Sequence, residues 1–343
     1  MMREIYWEEV SSLSHWIYFW LIALCIIWLL TFIWMWQFTL CCLLFVIPFI
    51  LFIRWWSRNR MHCSLNHVLK WFLHGFINIT MLAIFGQFIG LFIISLLFVA
   101  TRFAFSPFGH LLYIVSSIVY YVTIEEVLKL FFSLKSRDSV HDPLRQITKT
   151  HTITSTATAL GYSMCSGTLW MAFAAYQLHK DDEQYHEKYS LFGWLLTITV
   201  IIAVIGMPMQ LITGYAIGCK ITQKDMEYAE NNRDGNNQNN ERGHHQHDRL
   251  PFHSYLNVIY NSVFVRSAYL FFLVFGFLIL QFSVIGVIIA ILGIICDYIL
   301  LIKYTKQIES TLPWDYLQRA GQLSIFGYNV LPDQPGGDQE NLG

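Results

Sequence analysis

Charge is what this chain has least of. Of its 343 residues only 13% are Asp, Glu, Lys or Arg, about half the share found in a typical soluble domain. Set beside 55% hydrophobic residues and a mean hydropathy of +0.45, that shortage excludes an ordinary soluble protein. A basic stripe with interleaved aromatics is also missing and the net charge is −1, so nucleic acid is not an expected partner. The seven cysteines, Cys25, Cys41, Cys42, Cys63, Cys165, Cys219 and Cys296, contain no Cys-x-x-Cys spacing. Most lie inside apolar runs, which makes them small core residues rather than a disulfide framework or a zinc site. Cys219 lies at an expected membrane edge, where acylation is an alternative to the favoured reading as a small core residue. No internal repeat is visible. The opening MMREIYWEEVSS is charged and aromatic, and the apolar run after it is too long for the core of a cleavable signal peptide, so none is expected.

What the chain does have is long apolar runs, several beyond the roughly 18 residues that mark a membrane-spanning helix. The expected fold is an all-α polytopic transmembrane helix bundle of about eight spans. They are Trp16–Phe32, Phe38–Ile53, Phe76–Val99, Leu111–Leu134, Ile153–Ala175, Phe192–Ile217, Tyr255–Phe277 and Val284–Ile302. Gln281 and Ser283 divide the last long run, and a re-entrant segment around Asn257 would reduce the count to seven. Of the 22 basic residues, all but Arg102, Lys180, Lys188, Lys129 and Arg266 fall on one side of this arrangement. By the positive-inside rule that side is cytoplasmic, with both termini on it. An integral, multi-pass membrane location follows, with endomembrane and plasma membrane left open and membrane lipids as the first partners.

Three parts are expected along the chain. Residues 1–66 form a transmembrane hairpin and basic loop, residues 67–304 the membrane core, and residues 305–343 an interfacial and disordered tail. Within the core, the Asn-rich stretch 225–249 reads as a disordered loop, being too polar to bury a core. Its His244, His245 and His247 are read as solvated rather than metal-binding.

The few charges inside spans stand out against this background. Glu125, Glu126 and Lys129 interrupt the fourth span and Arg266 the seventh. A charged side chain at mid-bilayer costs about 2.5 kcal/mol or more even on lenient scales, and persists where something pairs with it or uses it. Glu125 and Lys129 stand four apart with the acid first, the favourable order for a helical ion pair. Glu126 points about 100° away and needs a cation from elsewhere, for which Arg266 is the expected partner. Tyr162, Ser166, Gln210, Asn257 and Asn261 fall at similar depths of neighbouring spans, which suggests one polar cavity open to the cytoplasm.

The pentapeptide EEVLK, Glu125 to Lys129, matches the EExxK motif of the PrsW-like intramembrane peptidases, which resemble the CAAX-processing membrane proteases. Asp142-Pro143-Leu144, ALGYSMCSGTLW (Ala159 to Trp170), PMQLITGYAIG (Pro208 to Gly218) and LNVIYNSVF (Leu256 to Phe264) resemble the family's later segments in the same order. The resemblance covers about Tyr120 to Phe277. It implies that Glu126 is the catalytic acid, activating water alone or with a metal, with Glu125 and Lys129 in support. Three of the family's motifs are altered. Tyr162 and Ser166 stand where FxxxE is expected, Gln210 replaces a histidine, and Asn257 and Asn261 replace HxxxD. Amide oxygens are poor ligands for a transition metal, so no cofactor is expected and a divalent ion would find an incomplete ligand set. The resemblance therefore implies a peptidase-like pseudoenzyme that binds a transmembrane client. Two alternatives are an active endopeptidase using Glu126 and an ion- or proton-coupled transporter using the Glu/Lys/Arg cluster.

Overall fold

The computed structural model describes residues 14–34, 36–58, 63–101, 106–138, 150–182, 191–236, 250–275 and 284–312, and every regular element among them is helical. In order these are α1 (His15–Trp34), α2 (Trp36–Cys42), α3 (Val46–Arg58), α4 (Leu65–Leu73), α5 (Thr80–Ala100), α6 (Pro107–Asp138), α7 (Thr150–Asp182), α8 (Leu191–Val200), α9 (Met207–Asn236), α10 (Tyr260–Val274) and α11 (Val284–Ser310). A 3-10 turn, Leu43–Phe45, joins α2 to α3, and another, Phe252–Val258, precedes α10. Wider π-helical turns at His74–Ile79 and Ile201–Gly206 carry α4 into α5 and α8 into α9 without a break in direction of the chain. Ser64 caps α4 by accepting from the His67 N–H, which fixes where that rod begins.

Six helical rods are long and apolar enough to cross a membrane, and a seventh if the Phe252–Val258 turn and α10, bent by 46° from one another, form one span. Large apolar side chains stand outward on these rods: Phe88 is 74% and Ile33 75% exposed. That is the surface of an integral, multi-pass membrane protein, since water would not tolerate so much contiguous apolar area. The expected third span lengthens to Leu65–Ala100. The expected seventh is bent by 46° just after Asn257, where the re-entrant alternative had placed a break.

The helix expected as the fifth span, α7, is 33 residues long and does not reach the apolarity of the other rods. Its position explains this. Residues 150–163 are buried without exception, so α7 faces protein on all sides over that stretch and needs no lipid-compatible surface. Its many threonines would ordinarily weaken a helix, but Thr154, Thr156 and Thr158 each donate to the carbonyl four residues back, which satisfies the hydroxyls inside the bundle. Neighbours approach it closely through glycine. A Cβ on Gly161 would stand 2.0 Å from the Phe72 carbonyl oxygen, and one on Gly75 2.0 Å from that of Thr158. On the other flank Gly214 and Gly218 of α9 lie against the backbone of Ser155, Thr156, His151 and Thr152. Small residues at such contacts are the usual device by which membrane helices pack.

Some expectations fall outside the described residues. Residues 1–13 of the N-terminal part, the Asp142-Pro143-Leu144 segment, His244, His245 and His247, and the tail from 313 onward are among them. The Asn-rich stretch starts later than expected: α9 continues as helix through Asn236, because Asp225 and the residues around it extend a rod already formed. None of the seven cysteines is in a disulfide. Cys219 is wholly buried, as the favoured reading of it as a small core residue expects, and not available for acylation.

Candidate functional site

The charged residues of α6 meet those of α10 inside the bundle. On α10 a stripe of Ser262, Val265, Arg266 and Tyr269 turns inward, and it carries the guanidinium between the two acids of α6. Arg266 Nη2 lies 2.5 Å from Glu125 Oε2 and Nη1 lies 2.6 Å from Glu126 Oε1. Lys129 Nζ reaches the same Glu126 Oε1 at 2.6 Å. The expected pairing of Glu125 with Lys129 is therefore replaced by one of Glu126 with Lys129, three residues apart. The four-apart rule describes an isolated helix in water; here Arg266 occupies Glu125, and Gln210 draws Lys129 the other way.

Neutral polar groups complete the centre. Gln210 of α9 accepts from Lys129 through its amide oxygen and offers its Nε2 to Glu125 Oε2 at 3.4 Å. The Tyr162 hydroxyl of α7 donates to Glu125 Oε1, and its ring lies 5.9 Å from the Lys129 ammonium. Two further partners were not singled out from the sequence. Gln87 of α5 donates to Glu125 Oε1 at 3.4 Å, and Tyr121 bonds the same carboxylate. Gln87 had a signal, being the lone carboxamide in the α5 run of apolar residues. Tyr121 had none, since tyrosines are frequent in this chain.

Five helices thus converge on two carboxylates, and the charges balance: Glu125 and Glu126 against Lys129 and Arg266. The centre is sealed. Glu126 is 0%, Glu125 and Lys129 1% and Arg266 5% exposed. The expected wet cavity open to the cytoplasm is not what surrounds these groups; fixed cations and amides supply the compensation that water would have supplied. One atom is left over. Glu126 Oε2 is buried and has no hydrogen-bond partner.

The remaining expected site residues lie elsewhere. Ser166 is half-buried and donates to the Ser163 carbonyl at 3.3 Å, and it makes no hydrogen bond to the acids. Asn257 and Asn261 are exposed, and Asn261 bonds Tyr304. Neither asparagine falls on the inward stripe of α10, and Asn257 lies in the 3-10 turn that precedes it. That turn is bent by 46° from α10, and Asn261, inside α10, sits about 100° off the stripe begun by Ser262. Among the described residues no group of three or more His, Cys, Asp or Glu is placed to hold a metal ion. Around Glu126 the places that ligands would take are held by an ammonium and a guanidinium, so the residues present do not fit a cation there.

A third buried acid was not singled out from the sequence. Asp297 of α11 is 4% exposed and its Oδ2 has no hydrogen-bond partner. An unsatisfied buried polar group costs on the order of 1–3 kcal/mol. Asp297→Leu is therefore expected to raise thermal stability in detergent, read as the temperature at which the size-exclusion peak is lost. A loss of stability instead would show that Asp297 holds a partner that its surroundings in this structure do not reveal.

No family model, no curated protein and no solved structure matches this chain.

Proposed function

We propose that the chain is a degenerate PrsW-like membrane protein without peptidase activity, whose buried ionic centre clamps the helix bundle in a shape that binds a transmembrane client. The observation that supports this is the state of Glu126. Its Oε1 faces both Lys129 and Arg266 at 2.6 Å. A carboxylate so held is a weak base, and a general base must also reach the water it activates. Here the acid is shut away from solvent. Gln210 and Tyr162, standing where the resemblance expects a histidine and an aromatic residue, are engaged in the same network and add no second base. The centre therefore behaves as a structural clasp, and the protein acts by binding.

A second reading has one point in its favour. The vacant Glu126 Oε2 is an acceptor that a single buried water could meet, which is what an active endopeptidase would require. The transporter reading has no comparable support, because none of the four charges reaches the surface.

The test is proteolysis in reconstituted liposomes with a panel of single-span substrates. The wild-type protein is expected to release no product above the level seen with a Glu126→Gln variant of the same gel-filtration profile. Cleavage by the wild type that disappears in Glu126→Gln would establish the second reading and end the first.

A further inference from the structure

A cavity of about 400 Å³ lies among α3, α7, α9 and α11, apart from the ionic centre. Leu51, Phe52, Leu211 and Ile302 line it. Its polar members have little to offer a solvent molecule. Thr156 donates to the Thr152 carbonyl at 2.5 Å and Thr305 to that of Leu301 at 2.8 Å. The Tyr215 hydroxyl donates to Glu309 at 2.8 Å. Only Lys306 is left with donors to spare: it is exposed and makes no ion pair among the described residues. Glu309, the acid facing this rim, is held by Tyr215 instead.

The space is open along one side of the bundle, where Leu51 and Ile302 are exposed, so the surrounding phase can enter it. Water is a poor occupant, since an ordered water needs two to four polar partners and the wall supplies one donor at one end. The phase outside that side of the bundle is hydrocarbon. A headgroup-level aromatic pair is present too: the Trp55 and Tyr215 rings lie 5.9 Å apart, edge to face, and such amphipathic rings favour the interface of a bilayer. Basic positions between spans recognise acidic headgroups.

We propose that this cavity is a lipid site: it takes an acyl chain of an anionic glycerophospholipid whose phosphate-bearing headgroup rests on Lys306. The chain fills the apolar wall formed by Leu51, Leu211 and Ile302, and the ammonium selects charge. The site stands independently of the function proposed for the ionic centre.

The test uses full-length protein in liposomes containing trace phosphatidylserine or phosphatidylcholine that carries a photoactivatable diazirine on the acyl chain, with labelled peptides mapped by mass spectrometry. The phosphatidylserine probe is expected to label the Leu51–Trp55 and Leu211–Tyr215 segments about fivefold more than the phosphatidylcholine probe, the preference one surface lysine confers. Lys306→Glu, at an exposed position outside the packed core, is expected to abolish that preference. Leu211→Trp, which fills the cavity, is expected to remove label there while leaving the outer face of α5 labelled as before. Equal labelling by both probes, unchanged in Lys306→Glu, overturns the selection of charge. Label on α5 with none at Leu51–Trp55 means that protein, from this chain or a second copy, fills the space, and overturns the lipid site.

Discussion

Arg266→Leu is expected to be the most damaging single substitution in the bundle. Removing the guanidinium takes away the contacts to Glu125 Oε2 at 2.5 Å and Glu126 Oε1 at 2.6 Å together. Two carboxylates then share one ammonium in a place that solvent does not reach. Breaking a buried pair by deleting one partner costs on the order of 3–5 kcal/mol, because the remaining charge is left uncompensated. A protein's whole stability is only about 5–15 kcal/mol. The variant should therefore lose its monodisperse size-exclusion peak well below the wild-type temperature, or fail to accumulate. Arg266→Lys should fall between the two, since an ammonium cannot bridge two carboxylates with a rigid planar fork. The discriminating variant is Arg266→Leu combined with Glu125→Gln. It restores equal numbers of opposite charges and should recover more than half of the loss. If the double variant is no better than Arg266→Leu alone, or if Arg266→Leu melts with the wild type, the four charges are not a clasp and the proposed role of the centre fails with it.

Gly161→Leu should be nearly as harmful for a different reason. Its side chain would begin 2.0 Å from the Phe72 carbonyl oxygen and 2.9 Å from the Phe76 nitrogen. These are backbone atoms, which cannot rotate aside as a side chain can. The rod that contains α4 must therefore move away from α7. Overpacking of a filled core typically costs about 1–3 kcal/mol and sometimes more, and a displaced backbone belongs at the upper end. Gly75→Ala meets the Thr158 carbonyl at the same distance across the same contact. One separation relieves both clashes, so Gly75→Ala with Gly161→Ala should cost less than the sum of the two, as coupled neighbours do. Gly206→Ala is the control. Its nearest foreign atom is the Tyr269 hydroxyl oxygen at 3.8 Å, and it should be neutral or slightly stabilising in the same thermal assay. Equal tolerance at Gly161 and Gly206 would refute the close contact between α4 and α7.

Composition and apolar runs were enough to read a helical membrane bundle, because the cost of an unpaired backbone in hydrocarbon leaves few other folds. The need of Glu126 for a cation was legible as well, since charge balance is independent of geometry, and Arg266 was the natural donor. What was not legible was which acid Lys129 would choose. That depends on where Gln210 and Arg266 arrive in space, and helical spacing alone carries no such information. Asn257 and Asn261 were misplaced because depth along a span does not say which face a residue occupies, and the inward face of α10 belongs to Ser262, Val265, Arg266 and Tyr269. The supposed wet pocket failed for a related reason: polar residues at similar depth can close on one another as readily as they can line a space. Gln87 was overlooked although it stood alone among apolar neighbours, and Asp297 likewise. In a bilayer, a solitary polar residue in a hydrophobic run carries more information than one in a polar cluster.

The enclosed, threonine-rich α7 has a consequence for biogenesis. A segment partitions from the translocon into lipid according to the summed transfer energy of its side chains, and α7 gains less from that transfer than the rods around it. Its stable place depends on surfaces supplied by others: the glycine-lined flank at Gly75, synthesised before it, and Gly214 and Gly218, synthesised after. The middle of the polypeptide thus lacks one of its two packing surfaces until α9 has been made.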